Sequence, residues 1–333
     1  MNIQYKILGY PQKDNAVFAE LNTGNKIYKF LFDCGEGVLK TLSFSDIRKI
    51  DYIFFSHFHL DHAAGFDYFF RRNYDRYEKP VRIFGPEGTI DIIHHRLRGF
   101  TWNLNSGLPG EWIVTELHHD KIMEALFSPG DGFTEKRNLI TKPITDCTVD
   151  TEFFRVTFRL FDHIIPSCGY TLEAKERLNI NKEKLENSGL TPGGWLSLIK
   201  SSEYTASTIN IDDKKYSTEE LRKNLLQTEP GEKLSYLTDL IYNETNLQNA
   251  IKLTSGADVL ICEAQYNSRH PAEAAKNYHL TSRHSAKIAE LSGVKKMILF
   301  HLSDRYSKEE LKLTLEEARE VFPESYFPDN WQI

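Results

Sequence analysis

The stretch FFSHFHLDHAAGF, Phe54 to Phe66, sets three histidines and an aspartate within six positions, directly behind an apolar run. On an extended chain side chains alternate, so His57 and His59 point to one side, while Asp61 and His62 follow where the strand must turn. The four can converge. Imidazole nitrogens and a carboxylate oxygen suit zinc, and two neighbouring ions can share such ligands if further His and Asp arrive from elsewhere in the fold. A lone histidine is usually a surface or hydrogen-bonded core residue; four ligand-type residues in this tight a pattern point to metal.

Three other segments end in the same way. FFRVTFRLFDHIIPSCGY places His163 after an apolar-rich run, LSYLTDL places Asp239 at the close of an apolar strand, and MILFHLSDRY places His301 after another. In sheets covered by helices, functional groups gather where strands give way to loops, because the sheet fixes the loop roots while the loop exposes the side chain. Jointly these residues complete two metal spheres. Asp33 and Ser56 are candidate partners for the second N–H of metal-binding histidines. Gly35 and Gly37 in FDCGEG are consistent with a tight backbone approach beneath the site, and DRY can bring Arg305 near a phosphate or carboxylate.

The rest of the chain bounds this reading. With 333 residues, 40% of them hydrophobic, it can bury a large core as one big domain or two modest ones. A net charge of −6 argues against indiscriminate binding to polyanions. The clusters RRNYDRYEK (71–79) and HHRLR (94–98) can touch phosphates locally, although helices with scattered Arg are usually solvated faces. The four cysteines, Cys34, Cys147, Cys168 and Cys262, form no Cys-x-x-Cys pair, which excludes a thiolate zinc knuckle and gives no sign of a disulfide framework. No run of about eighteen apolar residues and no basic-then-apolar leader is present, so a cytoplasmic protein without membrane contact is expected.

Strands are expected at Ile3 to Leu8, Val17 to Leu21 and Ile27 to Phe32, an antiparallel opening punctuated by NTGN. Strand and helix then alternate: DYIFF, a helix near Ala64 to Tyr74, VRIF, and a helix near Thr89 to Arg98. The far end repeats the pattern with LSYLT, a helix near Asn246 to Leu253, DVLICEA, a helix near Ser282 to Leu291 closed by Gly293, KKMILF and a last helix near Lys308 to Phe322. The class is α/β (α+β in some schemes), mixed sheets covered by helices. Residues 99–150 read as an insertion, and residues 173–232, rich in Lys, Glu, Asn and Ser around LTPGGW, as a projecting arm or lid on a single elaborated domain spanning 1–333.

The ordered motifs resemble those of metallo-β-lactamase-fold hydrolases, and within that superfamily the chain is similar to ribonuclease Z, the transfer RNA 3′-processing endonuclease. LFDCGEG (31–37), SHFHLDH (56–62), HIIPSCGY (163–170), LICEAQY (260–266), HLTSRHSAKIAELSG (279–293) and HLSDRY (301–306) carry the resemblance in order along the chain. Departures are Leu60, where the family usually has Gly, YLTDL without the Gly-Asp-Thr form, and Cys262 where the helper segment commonly has His.

The resemblance implies an αββα sandwich with two zinc ions per chain, replaceable by manganese or iron. It places His57, His59 and His163 on one ion, Asp61, His62 and His301 on the other, and Asp239 between them. Two such ions about 4 Å apart can hold a hydroxide that attacks phosphorus. Asp61 is thus both ligand and part of the catalytic set, with His279 supplying a proton to the leaving oxygen and Glu263 holding that imidazole. The substrate expected is RNA or a smaller phosphodiester, and a homodimer is the assembly the resemblance brings to mind. Two alternatives stand beside this: hydrolysis of a small ester, lactone, sulfate ester or cyclic nucleotide on the same fold, or a metal-stabilised nucleic-acid-binding protein without catalysis.

Overall fold

In the computed structural model, which describes residues 1–201 and 203–333, the N-terminal segment forms one eight-stranded sheet. Its strands are β1 (Ile3–Gly9), β2 (Asn15–Asn22), β3 (Ile27–Phe32), β4 (Tyr52–Phe54), β5 (Val81–Pro86), β6 (Trp112–Leu117), β7 (Lys121–Phe127) and β8 (Arg137–Pro143), lying side by side in chain order. The opening strands pair antiparallel, β3 to β6 run parallel, and β7 and β8 return antiparallel. Residues 99–150 therefore supply three strands to this sheet. They also supply β9 (Cys147–Asp150), which begins the second sheet and is followed by β10 (Phe154–His163) and β11 (Ile165–Ala174).

The chain then passes through residues 175–232, which hold β12 (Arg177–Ile180), β13 (Thr208–Ile211), β14 (Lys214–Ser217) and β15 (Leu226–Glu229), and returns with β16 (Lys233–Leu237), β17 (Val259–Glu263), β18 (Met297–Phe300) and β19 (Ser325–Tyr326). The second sheet has the order β19-β18-β17-β16-β11-β10-β9, with β16 to β19 parallel. Two compact units result: Ala174–Gly231 with Met1, and Asn2–Glu173 with Glu232–Ile333. The smaller unit has its own core, in which Trp195, Ile199, Ile209, Ile211, Leu221 and Leu225 are buried together.

Period-two alternation builds the larger unit. On β3, Phe30 and Phe32 face the second sheet, where Phe32 meets Tyr236 and Tyr170 at 5.6 and 6.1 Å and Phe30 meets Phe154 at 5.1 Å. The intervening Leu31 belongs to the opposite core, with Ile53, Ile83, Val114 and the helix residues Phe66, Phe69, Phe70 and Ile93. Both faces of this parallel stretch are thus covered, which is why its strands read as almost continuous apolar runs.

Helix boundaries follow their caps. The helix Ser282–Ser292 starts at the Thr281–His284 capping box and stops at Gly293, whose φ of 62° suits a residue without Cβ. Lys308–Arg319 starts at the Ser307–Glu310 box. The helix expected near Ala64 to Tyr74 is two pieces, Leu60–Ala63 and Phe66–Asn73, divided at Gly65. A Cβ on Gly65 would lie 2.1 Å from the Gly35 carbonyl oxygen, and one on Gly35 would lie 2.5 Å from that of Asp61. These two glycines let FDCGEG pass directly beneath the histidine segment. The bonds Cys34 N–H to His62 O (2.7 Å) and Gly65 N–H to Cys34 O (2.8 Å) close the contact. No helix among the described residues is long and apolar enough to cross a membrane.

Candidate metal centre

Strand ends from both sheets meet at one edge. Asp33 follows β3, Ser56 and His57 follow β4, His163 and Glu263 are the last residues of β10 and β17, Asp239 lies two residues past β16, and His301 immediately follows β18. The seven expected metal-binding residues, with Glu263 and His279, lie in this cluster. Ligand atoms fall within 4.8 Å of one another in the sets His57, His59, His163; His57, His62, Asp239; Asp61, His62, His301; His163, Asp239, His279; and Glu263, His279, His301. His59 is exposed, whereas His57 and His62 are buried.

The hydrogen bonds fix which ring nitrogens are free. His62 Nδ1 donates to Asp33 (2.8 Å), His163 Nδ1 to the Tyr278 carbonyl (2.7 Å) and His279 Nδ1 to Glu263 (3.0 Å). Ser56 Oγ already donates to Asp33, so His57 Nδ1 donates to Ser56 Oγ at 3.0 Å. Each ring therefore turns Nε2 away from its anchoring partner, the arrangement metal-binding imidazoles adopt. His57 Nε2 and His62 Nε2 are buried without a hydrogen-bond partner. An orphaned buried nitrogen is costly, and a cation would satisfy both. The donor set of imidazoles and carboxylates fits zinc or a similar divalent ion.

Asp33 is the hub behind these rings. It accepts from Ser56 N–H, Ser56 Oγ and Tyr236 OH, each at 2.6 Å, as well as from His62. Asp33→Asn tolerates the φ of 58° found there but sets an amide N–H₂ among groups that must donate. We expect the metal affinity of this variant to fall on the order of 10- to 100-fold. Competition with a chromogenic chelator measures it, and unchanged affinity would remove Asp33 from the centre.

Electrostatics prepare the same state. Burial, reinforced by His62, pushes His57 down to about 2, so it is neutral and keeps a lone pair. Burial alone would raise the Asp61 and Asp239 carboxyls, but His301 and His62 hold both well below the usual carboxylate range. His62 and His301 are raised against burial by the facing carboxylates. His279, opposed by burial, is pushed up to about 9 by Glu263.

Strain marks the same edge. Asp33, Ile164, Asp239, Tyr278 and His301 all have positive φ, between 52° and 66°. Non-glycine residues held so persist only where surrounding contacts over-determine them. Glu263, for example, accepts from Leu240 N–H at 3.1 Å and so pins the turn that presents Asp239.

Reading the residues in order missed Tyr236, the Tyr278 carbonyl and Thr238, whose hydroxyl bonds Asp239. None of the three carries a local signal in the sequence. Other candidates serve elsewhere. The Arg305 guanidinium lies over the Tyr266 ring at 4.7 Å. Arg76 is buried and donates to the carbonyls of Arg48, Ile50 and Pro80, and His94 is buried against the Phe133 carbonyl, so neither is available to a phosphate. Gly37 adopts φ 72° but has open space around it, so close approach belongs to Gly35 and Gly65.

Comparison with known proteins adds kinship to this geometry. Residues 14–124 match the family described as anti-Pycsar protein Apyc1. Over 325 residues, 98% of this chain and 97% of the relative, the sequence is 33% identical to a ribonuclease Z of Deinococcus radiodurans. It is 30% identical to a ribonuclease Z of Methanothermobacter thermautotrophicus, covering 88% of this chain and 83% of the relative. Among solved structures, the metallo-β-lactamase fold protein YhfI of Bacillus subtilis superposes with a TM-score of 0.57 at 15% identity, covering 98% of this chain and 96% of that one. Human tRNase Z, short form, superposes with a TM-score of 0.55 at 20% identity, covering 92% and 94%. The two mixed sheets with their helices are thus the metallo-β-lactamase fold.

Proposed function

Because the chain belongs to the ribonuclease Z family of metal-dependent hydrolases, we propose that it is an endoribonuclease that processes the 3′ side of transfer RNA precursors. The observation that carries this is kinship along the whole length, 98% of this chain at 33% identity, in a molecule whose histidines and carboxylates meet at one edge.

On this reading His57, His59 and His163 would hold one zinc ion and Asp61, His62 and His301 a second, with Asp239 available to either. When bound, the ions would supply an activated water and positive charge against the phosphoryl oxygens. The chain's own groups do the rest. The Nδ1 anchors at Asp33, Ser56 and the Tyr278 carbonyl keep the ligand rings oriented before substrate arrives. Glu263, fully buried, keeps a proton on His279, which is placed to pass one to the departing ribose oxygen. The segment near residues 173–232 serves as an arm that grips the RNA.

Incubation of the zinc-loaded protein with a 3′-extended precursor transfer RNA tests this. A single cut beside the acceptor end is expected. Turnover of bis(p-nitrophenyl) phosphate with the precursor left intact would replace RNA by a smaller phosphodiester, and turnover of esters alone would replace phosphorus chemistry altogether.

A further inference from the structure

The centre has two unlike flanks. Beside Asp61 and His301 the surface is polar, a recess of about 240 Å³ lined by Gln12, Lys13, Gln265 and Ser303 among others. The residues that directly follow His59 and His163 in sequence are aliphatic. Leu60 is 78% exposed and Ile164 75%. Each immediately follows a residue of the ligand cluster in sequence, and the His59 and His163 rings are 5.3 Å apart. Neighbouring Cα atoms lie about 3.8 Å apart, so the backbone of both residues lies beside the ligand cluster.

A single exposed leucine is ordinary. Two large exposed aliphatic groups, each directly following a histidine of the cluster, are not, and the backbone at Ile164 adds a second observation. Its φ is 66°, a conformation in which a β-branched residue is a true outlier. The turn is held against that strain. Ile164 N–H donates to Asp162 Oδ1 (3.1 Å), Asp162 N–H to Asn246 Oδ1 (3.1 Å), and both Ile241 N–H (3.0 Å) and Asn246 Nδ2 (3.2 Å) to the Asp162 carbonyl. The fold thus spends four hydrogen bonds on a turn that presents isoleucine to solvent.

We propose that Leu60 and Ile164 form an apolar clamp for the nucleobase adjoining the scissile phosphate. The clamp rests on the reading of the centre as an RNA phosphodiesterase. A bound diester lays its charged oxygens toward the ligand cluster and the His279 proton, and its ribose hydroxyls seek polar partners. Only the face of a base gains free energy by removing aliphatic side chains from water. Continuity decides the occupant: whatever is attacked at this centre brings its flanking nucleotide past the neighbours of His59 and His163.

The test uses precursor transfer RNA, intact or abasic at one of the two positions flanking the cut. In the wild-type protein one abasic position should raise KM roughly tenfold, the size of effect a lost apolar group has in a binding pocket, with kcat changed much less. In Leu60→Ser/Ile164→Asn, KM for intact RNA should rise by a similar factor and the abasic penalty should vanish. Asn tolerates the left-handed turn, and metal content and thermal unfolding report whether the centre is intact. Leu60→Met, which keeps an apolar side chain, should retain the penalty. Equal cutting of intact and abasic RNA by the wild-type protein overturns the clamp alone, as does a penalty that survives in the double variant. Failure of the wild-type protein to cut either RNA removes the RNA reading and the clamp with it.

Discussion

Asp239→Asn is expected to lose hydrolytic activity on the order of a thousandfold or more, on precursor RNA and on bis(p-nitrophenyl) phosphate alike, while remaining folded. The two oxygens of this buried carboxylate address different partners. Oδ1 lies 3.6 Å from His163 Nε2 and 3.5 Å from His279 Nδ1, whereas Oδ2 lies 3.2 Å from His62 Nε2 and 3.8 Å from His301 Nε2. A group placed between the two halves of the cluster is where one anionic ligand can serve two cations. Asparagine accepts the φ of 56° found there, so the backbone has no reason to shift. What disappears is the charge and one of two acceptors. Metal analysis of the purified variant should show depleted ions, and thermal unfolding should show a folded protein. An Asp239→Asn protein with wild-type metal content and turnover would end the assignment of Asp239 as the shared ligand.

The clustered side chains were legible because their signal is local. SHFHLDH packs four of them into seven positions, and His163, Asp239 and His301 each stand where an apolar run stops. The fold class was legible for the same reason, since period-two runs and capped helical stretches are short-range patterns. Contacts made across the sandwich left no such trace. Tyr236 reaches Asp33 over 203 positions of sequence, and nothing near either residue announces the other. Gly65 was hidden because its role depends on Gly35 passing beneath it. The positive φ at Asp239, His301 and Ile164 was invisible because these residue types adopt negative φ at most of their positions. Residues 99–150 read as an insertion because Gly, Pro and Asn dominate its first part. The strands Trp112–Leu117 and Lys121–Phe127 then continue the sheet by hydrogen bonds to β5 and to each other.

The proton-donor role of His279 gives the sharpest split between substrates. A ribose oxygen leaves as a strongly basic alkoxide unless it is protonated, whereas p-nitrophenolate leaves without help. If His279 supplies that proton, His279→Ala should slow precursor cleavage by about 10²- to 10⁴-fold and slow bis(p-nitrophenyl) phosphate hydrolysis far less. The geometry offers a rival role, because His279 also groups with His163 and Asp239 closely enough to serve as a ligand. As a ligand its loss would depress both substrates together and lower the metal content. Glu263→Gln separates the roles further. Glu263 lies 3.0 Å from His279 Nδ1 and raises its proton affinity. The amide would leave the imidazole in place but less able to stay charged, so precursor cleavage should fall while the activated diester is spared. Parallel losses on the two substrates in both variants would exclude His279 as the acid and place it among the metal ligands.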